Sequence, residues 1–437
     1  MKGRHRFLVS SAAFVAVGLG IAIAAAPPPA RRSLREVNEV AAPAANKVIA
    51  IIGATLVDGR GGTPVADAVV VVRGSRIVAA GTRAAVAVPL GAEAVDASGQ
   101  WLVPGLIDSH FHLDGDATLP QLFLTHGVTS VRDPGQWIEA YDGVRKSGAE
   151  IPRLFLAGPH LDTAPPAYPD DSYIARDPEE TRQAVQRAVA SGASSIKVYF
   201  RLPLASIQAA VAAAHARGIP VTAHLEIVDA ADALRAGVDG IEHVTSFGTA
   251  LLPPREAEKY RQAVLADNNA RREGRYEMWS RLKFDTPRAA ELFKLIGRRQ
   301  TFVSATLAVF ERRTGDRNTT AVHVEGFHNM KAFVGRAASA GGRVVVGSHS
   351  GVPHAERGWA YQREMELLVD SGLSPLEAIT AATLQNARFF RIEERLGTIE
   401  AGKLADLVLL GADPVKDIAA MRQIRRVMLN GRWVDSK

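Results

Sequence analysis

The sequence predicts an α/β fold: a (β/α)8 barrel with a small β-sandwich built from the two chain ends. Through the middle of the chain, short apolar β-branched runs alternate with longer alanine-rich segments of helical period, the pattern of repeated βα units on a parallel sheet. Strand-like runs separated by glycine turns fill residues 47–103 and return in 393–437, so the two ends are expected to share one sheet domain. With 437 residues, 47% of them hydrophobic, the chain can fill a large barrel core and a smaller one beside it.

Taken in order, Lys2, Arg4 and Arg6 precede an uncharged apolar run from Phe7 to Ala26. Residues 1–26 are therefore expected to be an export signal, or an uncleaved membrane anchor, since the run is long enough to cross a bilayer and Pro27 makes a poor cleavage junction. A periplasmic or secreted location follows as an expectation. Residues 27–46, opening with Pro27-Pro28-Pro29, read as a linker. The sheet then starts with Val48-Ile49-Ala50-Ile51-Ile52, Ala68-Val69-Val70-Val71-Val72 and Ile77-Val78-Ala79-Ala80.

Residues 104–392 carry the barrel pattern. One unit is clear: Ser195 to Tyr199 as a strand, Ala205 to Arg217 as a helix closed by Gly218, and Pro220 to His224 as the next strand. Ser374, Pro375 and Glu377 read as a capping box with proline at the first helical position. Residues 253–287 break the rhythm with a charged helical insertion, expected to be a solvated face, with a lid or partner surface as the alternative. Asp406 to Leu410 and Arg426 to Gly431 return to strand character.

Composition removes several functions. The chain has no cysteine, which excludes disulfides, thiolate metal sites and cysteine nucleophiles, so any metal must be held by nitrogen and oxygen. The net charge of +6 comes from basic residues scattered among acids, without the basic stripe interleaved with aromatics that binds nucleic acid. The expected partner is a small molecule or short peptide.

In a parallel barrel, chemistry gathers where strands end, and five apolar runs here end in metal-ligand residue types. The first is Val103 to His112, where His110 and His112 share a strand face and both imidazoles can reach one ion. Lys197, between Ile196 and Val198, would be costly in an apolar strand unless neutralised, paired or modified. His224 ends Val221-Thr222-Ala223, His243 ends Gly240-Ile241-Glu242, and His349 ends Arg343 to Ser348. Any one of them alone fits a satisfied core or rim residue. Five in strand-end positions, in order, point to a metal centre. His160, Tyr199 and Glu226 lie near these runs and are candidates for touching substrate, with rim or packing roles as the alternative.

The segments Pro104 to His112, Gly127 to Asp133 and Leu396 to Val408 resemble the amidohydrolase superfamily, in its imidazolonepropionase-like and metal-dependent dipeptidase-like branch. The resemblance spans nearly the whole chain after Lys47. It implies that His110 and His112 hold one divalent metal, His224 and His243 a second, and carboxylated Lys197 bridges them, zinc being the ordinary ion. It also implies hydrolysis of a C–N amide bond in a peptide-like or cyclic amide substrate by metal-activated hydroxide. One position departs from the pattern: the family's usual aspartate after the eighth strand, ligand and proton acceptor together, is His349 here. Imidazole can ligate or accept a proton, though not with the same nitrogen. The departure keeps two other readings open: an impaired barrel that serves as a binding protein, and a deacetylase or esterase on the same scaffold.

Overall fold

A computed structural model describes residues 31–435. The run Phe7 to Ala26 lies outside the described residues, and among those described no helix is long and apolar enough to cross a membrane.

Eight short parallel strands form the barrel: β1 (Leu106–Asp108), β2 (Val128–Asp133), β3 (Arg153–Leu156), β4 (Ile196–Val198), β5 (Val221–Ala223), β6 (Gly240–Glu242), β7 (Phe302–Ser304) and β8 (Arg343–Val345). Ladders join β1 through β3 and β4 through β8. Ser194 N–H donates to Leu156 O at 3.2 Å between β3 and β4, and Ser109 N–H to Val346 O at 3.0 Å between β8 and β1, closing the ring. An excursion after β3 adds strands His160–Asp162 and Ser172–Ile174 beside β4. The helix after β4 runs Leu204–His215, and Ser374 caps Pro375–Thr380 with the reciprocal Glu377 bond.

The two chain ends meet in one continuous sheet of eight strands. Leu407–Leu410 pairs antiparallel with Trp101–Pro104, the strand that leads straight into β1. Ile49, Ile51, Val70, Leu102, Leu407 and Met428 close its core.

The described part of the expected linker is no free tether. Leu34 is buried, its N–H donates to Phe390 O, and Val37 N–H donates to Leu154 O, both at 2.9 Å. Arg153, at the start of β3, reaches Glu36 at 2.9 Å and Asp406 at 3.0 Å. Residues 31–41 are thereby held across the N-terminal ends of the strands, because a buried arginine needs these anions.

The insertion also departs from the solvated face expected of it. Its helices Pro254–Ala266 and Ala270–Arg281 bury Tyr260, Tyr276, Met278 and Trp279, and the second packs against Ala321–Ser339. Its charges are real, but a stripe of aromatic residues turns one flank inward over the barrel mouth.

Candidate metal centre

The C-terminal ends of the strands converge on a cavity of about 550 Å³. His112, Lys197, His224, His243 and His349 line it, with His110 buried directly beneath. The Nε2 atoms of His110 and His112 face each other at 3.1 Å. Two nitrogens bound to one tetrahedral ion at roughly 2.0–2.1 Å would lie about 3.3 Å apart, so this spacing fits a shared metal. Ligand nitrogens of His110, His112 and His349 all lie within 4.8 Å of one another. The rings of His224 and His243 are 4.4 Å apart, and that of His243 is 4.6 Å from His110.

Three of the rings have a polar group behind them. His110 Nδ1 lies 2.6 Å from Glu242 Oε2, His112 Nδ1 lies 3.5 Å from Asp133 Oδ1, and His243 Nδ1 is 2.7 Å from Thr306 Oγ1. Outer partners of this kind fix tautomer and ring orientation in metal sites. For His224 it is Nε2 that is occupied, 3.3 Å from Glu226, while its buried Nδ1 has no protein partner. A buried, orphaned imidazole nitrogen beside other histidines suits a metal, because the alternative is an unmet desolvation cost.

Beneath the histidines lies a charged floor. Glu242 accepts from Arg132 at 3.0 Å and pairs with Lys197 Nζ at 3.2 Å, all three side chains being about 1% exposed. Arg132 also donates to Ser109 O and Thr222 Oγ1. Burial pushes the Glu242 carboxyl upward, but Lys197, Arg132 and His110 outweigh it and hold it well below the usual range. Burial lowers the Lys197 pKa, Arg132 adds to that, and Glu242 only partly restores it. Burial, reinforced by neighbouring cations, keeps His110, His243 and His349 well below the ordinary histidine value, and His224 at about 4. All four are neutral at pH 7, the form that ligates.

Several of these positions are locally strained. His243, Thr306, His349 and Ser350 have φ of 64°, 47°, 59° and 59°, the left-handed region that side chains seldom adopt. In Gly347-Ser348-His349-Ser350 the strain is held by a bond network: Ser348 N–H to Asp108 Oδ1, His349 N–H to His110 O at 2.7 Å, and His112 N–H to Ser350 Oγ at 2.7 Å. Gly347 is required, since a Cβ there would stand 2.6 Å from the Cβ of His110. The loop after β8 is thus laced to the end of β1, which brings His349 against the His110/His112 pair.

His160 and Tyr199 line the cavity as a stacked pair with ring centres 4.4 Å apart. Glu226 does not meet its expectation as a substrate contact. It is 1% exposed, is not among the cavity-lining residues, and spends its oxygens on His224, Arg275 and the Tyr260 hydroxyl. Sequence reasoning missed Arg132, Asp133, Glu242 and Thr306. Glu242 carried the same signal as Lys197, a charge inside an apolar strand. The cavity-lining arginines Arg271, Arg275 and Arg312 had no comparable signal.

Residues 101–434 match the amidohydrolase family profile, a family of metal-dependent proteins. Among curated proteins, an adenine deaminase of Moorella thermoacetica is 26% identical over 380 residues, 84% of this chain and 54% of that one. An imidazolonepropionase of Caulobacter vibrioides is 48% identical over 61 residues, covering 14% of this chain and 15% of its own. The chain spans about half the length of the adenine deaminases it matches. Among solved structures, a candidate prolidase of Bifidobacterium longum superposes with a TM-score of 0.69 at 26% identity, over 89% of this chain and 94% of that one. A Xaa-Pro dipeptidase superposes with a TM-score of 0.70 at 21% identity over 89% and 100% of the two chains, a likeness of fold. A profile match over most of the chain, on a barrel whose strand ends gather five histidines and a lysine, makes this chain a member of the amidohydrolase family.

Proposed function

We propose that this chain hydrolyses a C–N amide bond in a small substrate, a peptide-like molecule or a cyclic amide. The observation that carries the reading is the convergence of His110, His112, His224, His243 and His349 around one cavity, three of them held from behind by Glu242, Asp133 and Thr306. His110 and His112 would hold one divalent metal and His224 and His243 a second, zinc being the first candidate for an all-nitrogen-and-oxygen site with an open position. When bound, such a metal supplies Lewis acidity toward a carbonyl oxygen and makes water more acidic.

The remaining work falls to this chain's own side chains. Lys197, once carboxylated, would supply oxygen ligands to the metal centre; burial favours its neutral amine, the form that adds carbon dioxide. Arg132 then remains to neutralise Glu242. His349, neutral at pH 7, serves either as a further ligand or as the base that takes the proton of the attacking water and returns it to the leaving nitrogen. Burial raises the Tyr199 pKa, so its phenol stays protonated and can donate to a substrate oxygen.

The test is metal content by elemental analysis, for wild type and His349→Asp purified with zinc and bicarbonate, each assayed on dipeptides, N-acetylated amino acids, esters and adenine. About two metals per chain with dipeptide turnover in wild type supports the proposal. Turnover only in His349→Asp, or no metal in wild type, would overturn it in favour of a binding role. Ammonia release from adenine without dipeptide turnover would favour the reaction for which the curated relatives are named. We also propose an extracytoplasmic location, resting on Lys2, Arg4, Arg6 and the apolar run that follows; recovery of the full-length chain from the cytosol by fractionation would refute it.

A further inference from the structure

We infer that the substrate carries a free carboxylate beyond the scissile bond, recognised by Arg271, Arg275 and Arg312 on the insertion side of the cavity. The inference rests on the amide-hydrolase reading above and narrows its substrate class.

The three arginines line the same cavity as the histidines. Arg271 is only 6% exposed, yet it donates to the carbonyl of Asn268 and its Nε has no partner at all. Arg312 donates only to the carbonyl of Glu311. Among the described residues neither forms an ion pair with a carboxylate, whereas Arg275 has Glu226 at 3.3 Å. A guanidinium removed from water without an anion is expensive, so a fold that keeps one facing a cavity has left a place for an anion. Of the acids lining the cavity, Asp133 is taken by His112 and Tyr141 and Glu273 by His323, while Asp114 and Asp171, from the loop after β1 and the excursion after β3, form no ion pair with these arginines among the described residues.

Each guanidinium also stands over an aromatic ring. Arg271 lies over the ring of Phe200 at 5.0 Å, Arg275 over Phe310 at 5.2 Å, and Arg312 over Tyr276 at 5.2 Å. Phe200 is itself 5.9 Å from the His224 ring, and Phe310 is 5.9 Å from that of His243. Each of the first two arginines therefore stands one aromatic ring away from the metal-ligand histidines. An aromatic ring steadies a guanidinium by cation–π attraction, and a guanidinium can make two parallel bonds to a carboxylate. In a dipeptide the terminal carboxylate lies one residue past the scissile bond, roughly 3.5 Å of chain, and the cavity of about 550 Å³ has room for such a molecule.

The experiment compares two equimolar dipeptide libraries, one of free acids and one of their C-terminal amides, on wild type, Arg312→Ala and Arg271→Lys. Wild type should favour the acids by about tenfold to a hundredfold in kcat/KM, mostly through KM, and both variants should shrink that preference, Arg271→Lys keeping the charge while losing the fork. Equal turnover of acids and amides in wild type, or a preference untouched by both variants, overturns the inference. If neither library is hydrolysed, the amide-hydrolase reading fails by itself, and retention of the two libraries on the protein in ultrafiltration decides the carboxylate question. Acids retained over amides, and released by Arg312→Ala, uphold carboxylate recognition; indifferent or absent retention rejects it.

Discussion

The two sides of the cavity are built on different principles. On the barrel side, each histidine sits at the end of a strand, and the carboxylates, hydroxyl and carbonyl that hold it come from neighbouring strands or from the floor. On the insertion side, Arg271 and Arg275 ride on a helix and Arg312 on a neighbouring loop, and all three are steadied by aromatic rings and backbone carbonyls. A metal demands ligand placement within a fraction of an ångström, which crossed strands and a bonded floor supply; an anion is tolerant of ångström shifts, and a packed helix suffices. On the reading proposed above, the barrel would set the reaction class and the insertion side the choice of substrate.

Measurements on either side of the cavity bear on that division. The largest effect should come from metal removal: chelation abolishes turnover, and zinc or another divalent ion restores it, whereas turnover that survives exhaustive dialysis against chelator would dissolve the distinction altogether. Next, Trp279→Ala empties a fully buried position in the insertion and should cost about 3–5 kcal/mol in denaturant unfolding, with metal stoichiometry unchanged. If metal is lost as well, the two sides are not separable. Glu242→Gln, on the barrel side, should weaken metal affinity by roughly ten- to a hundredfold in competition with a chromophoric chelator, while the fold survives by circular dichroism.

Acid should act mainly on the barrel side. For the metal-free protein, the clustered histidines are neutral when folded and free to protonate near pH 6.5 when unfolded, so the unfolded state binds more protons as pH falls. Stability is therefore full above that value and declines toward about pH 4, the level of His224; a Tm that does not fall between pH 7 and pH 5 contradicts the neutral cluster. A smaller change than that at Trp279 is Tyr260→Phe, which removes the bond from its hydroxyl to the buried Glu226 carboxylate and should cost about 1.5–3 kcal/mol by the same unfolding measurement.

Much of the barrel side was legible because strand-end chemistry leaves a local mark. His110 and His112 alternate on one strand, Lys197 stands in an apolar run, and His349 follows Val344-Val345-Val346. What holds them was harder to read, since Glu242 meets His110, Arg132 and Lys197 only after β1, β2, β4 and β6 have closed into a ring. The insertion was misread for a related reason: Arg271 and Arg275 sit among Arg272, Glu273 and Arg281, and only the burial of Tyr276, Met278 and Trp279 decides which charges turn inward. Glu226 differs again. Its position two residues past His224 suggested an open rim, but the insertion covers it, with Tyr260 and Arg275 closing over its oxygens.

The strap at residues 31–41 gives the molecule a handedness of use. It crosses the floor of the barrel, where Arg32 N–H donates to Gly218 O and Asn38 bonds the backbone at Pro152 and Leu154, while the cavity opens at the opposite end. The described chain therefore enters the fold on the face opposite the mouth, so that its first described segment and the cavity occupy separate ends of the barrel.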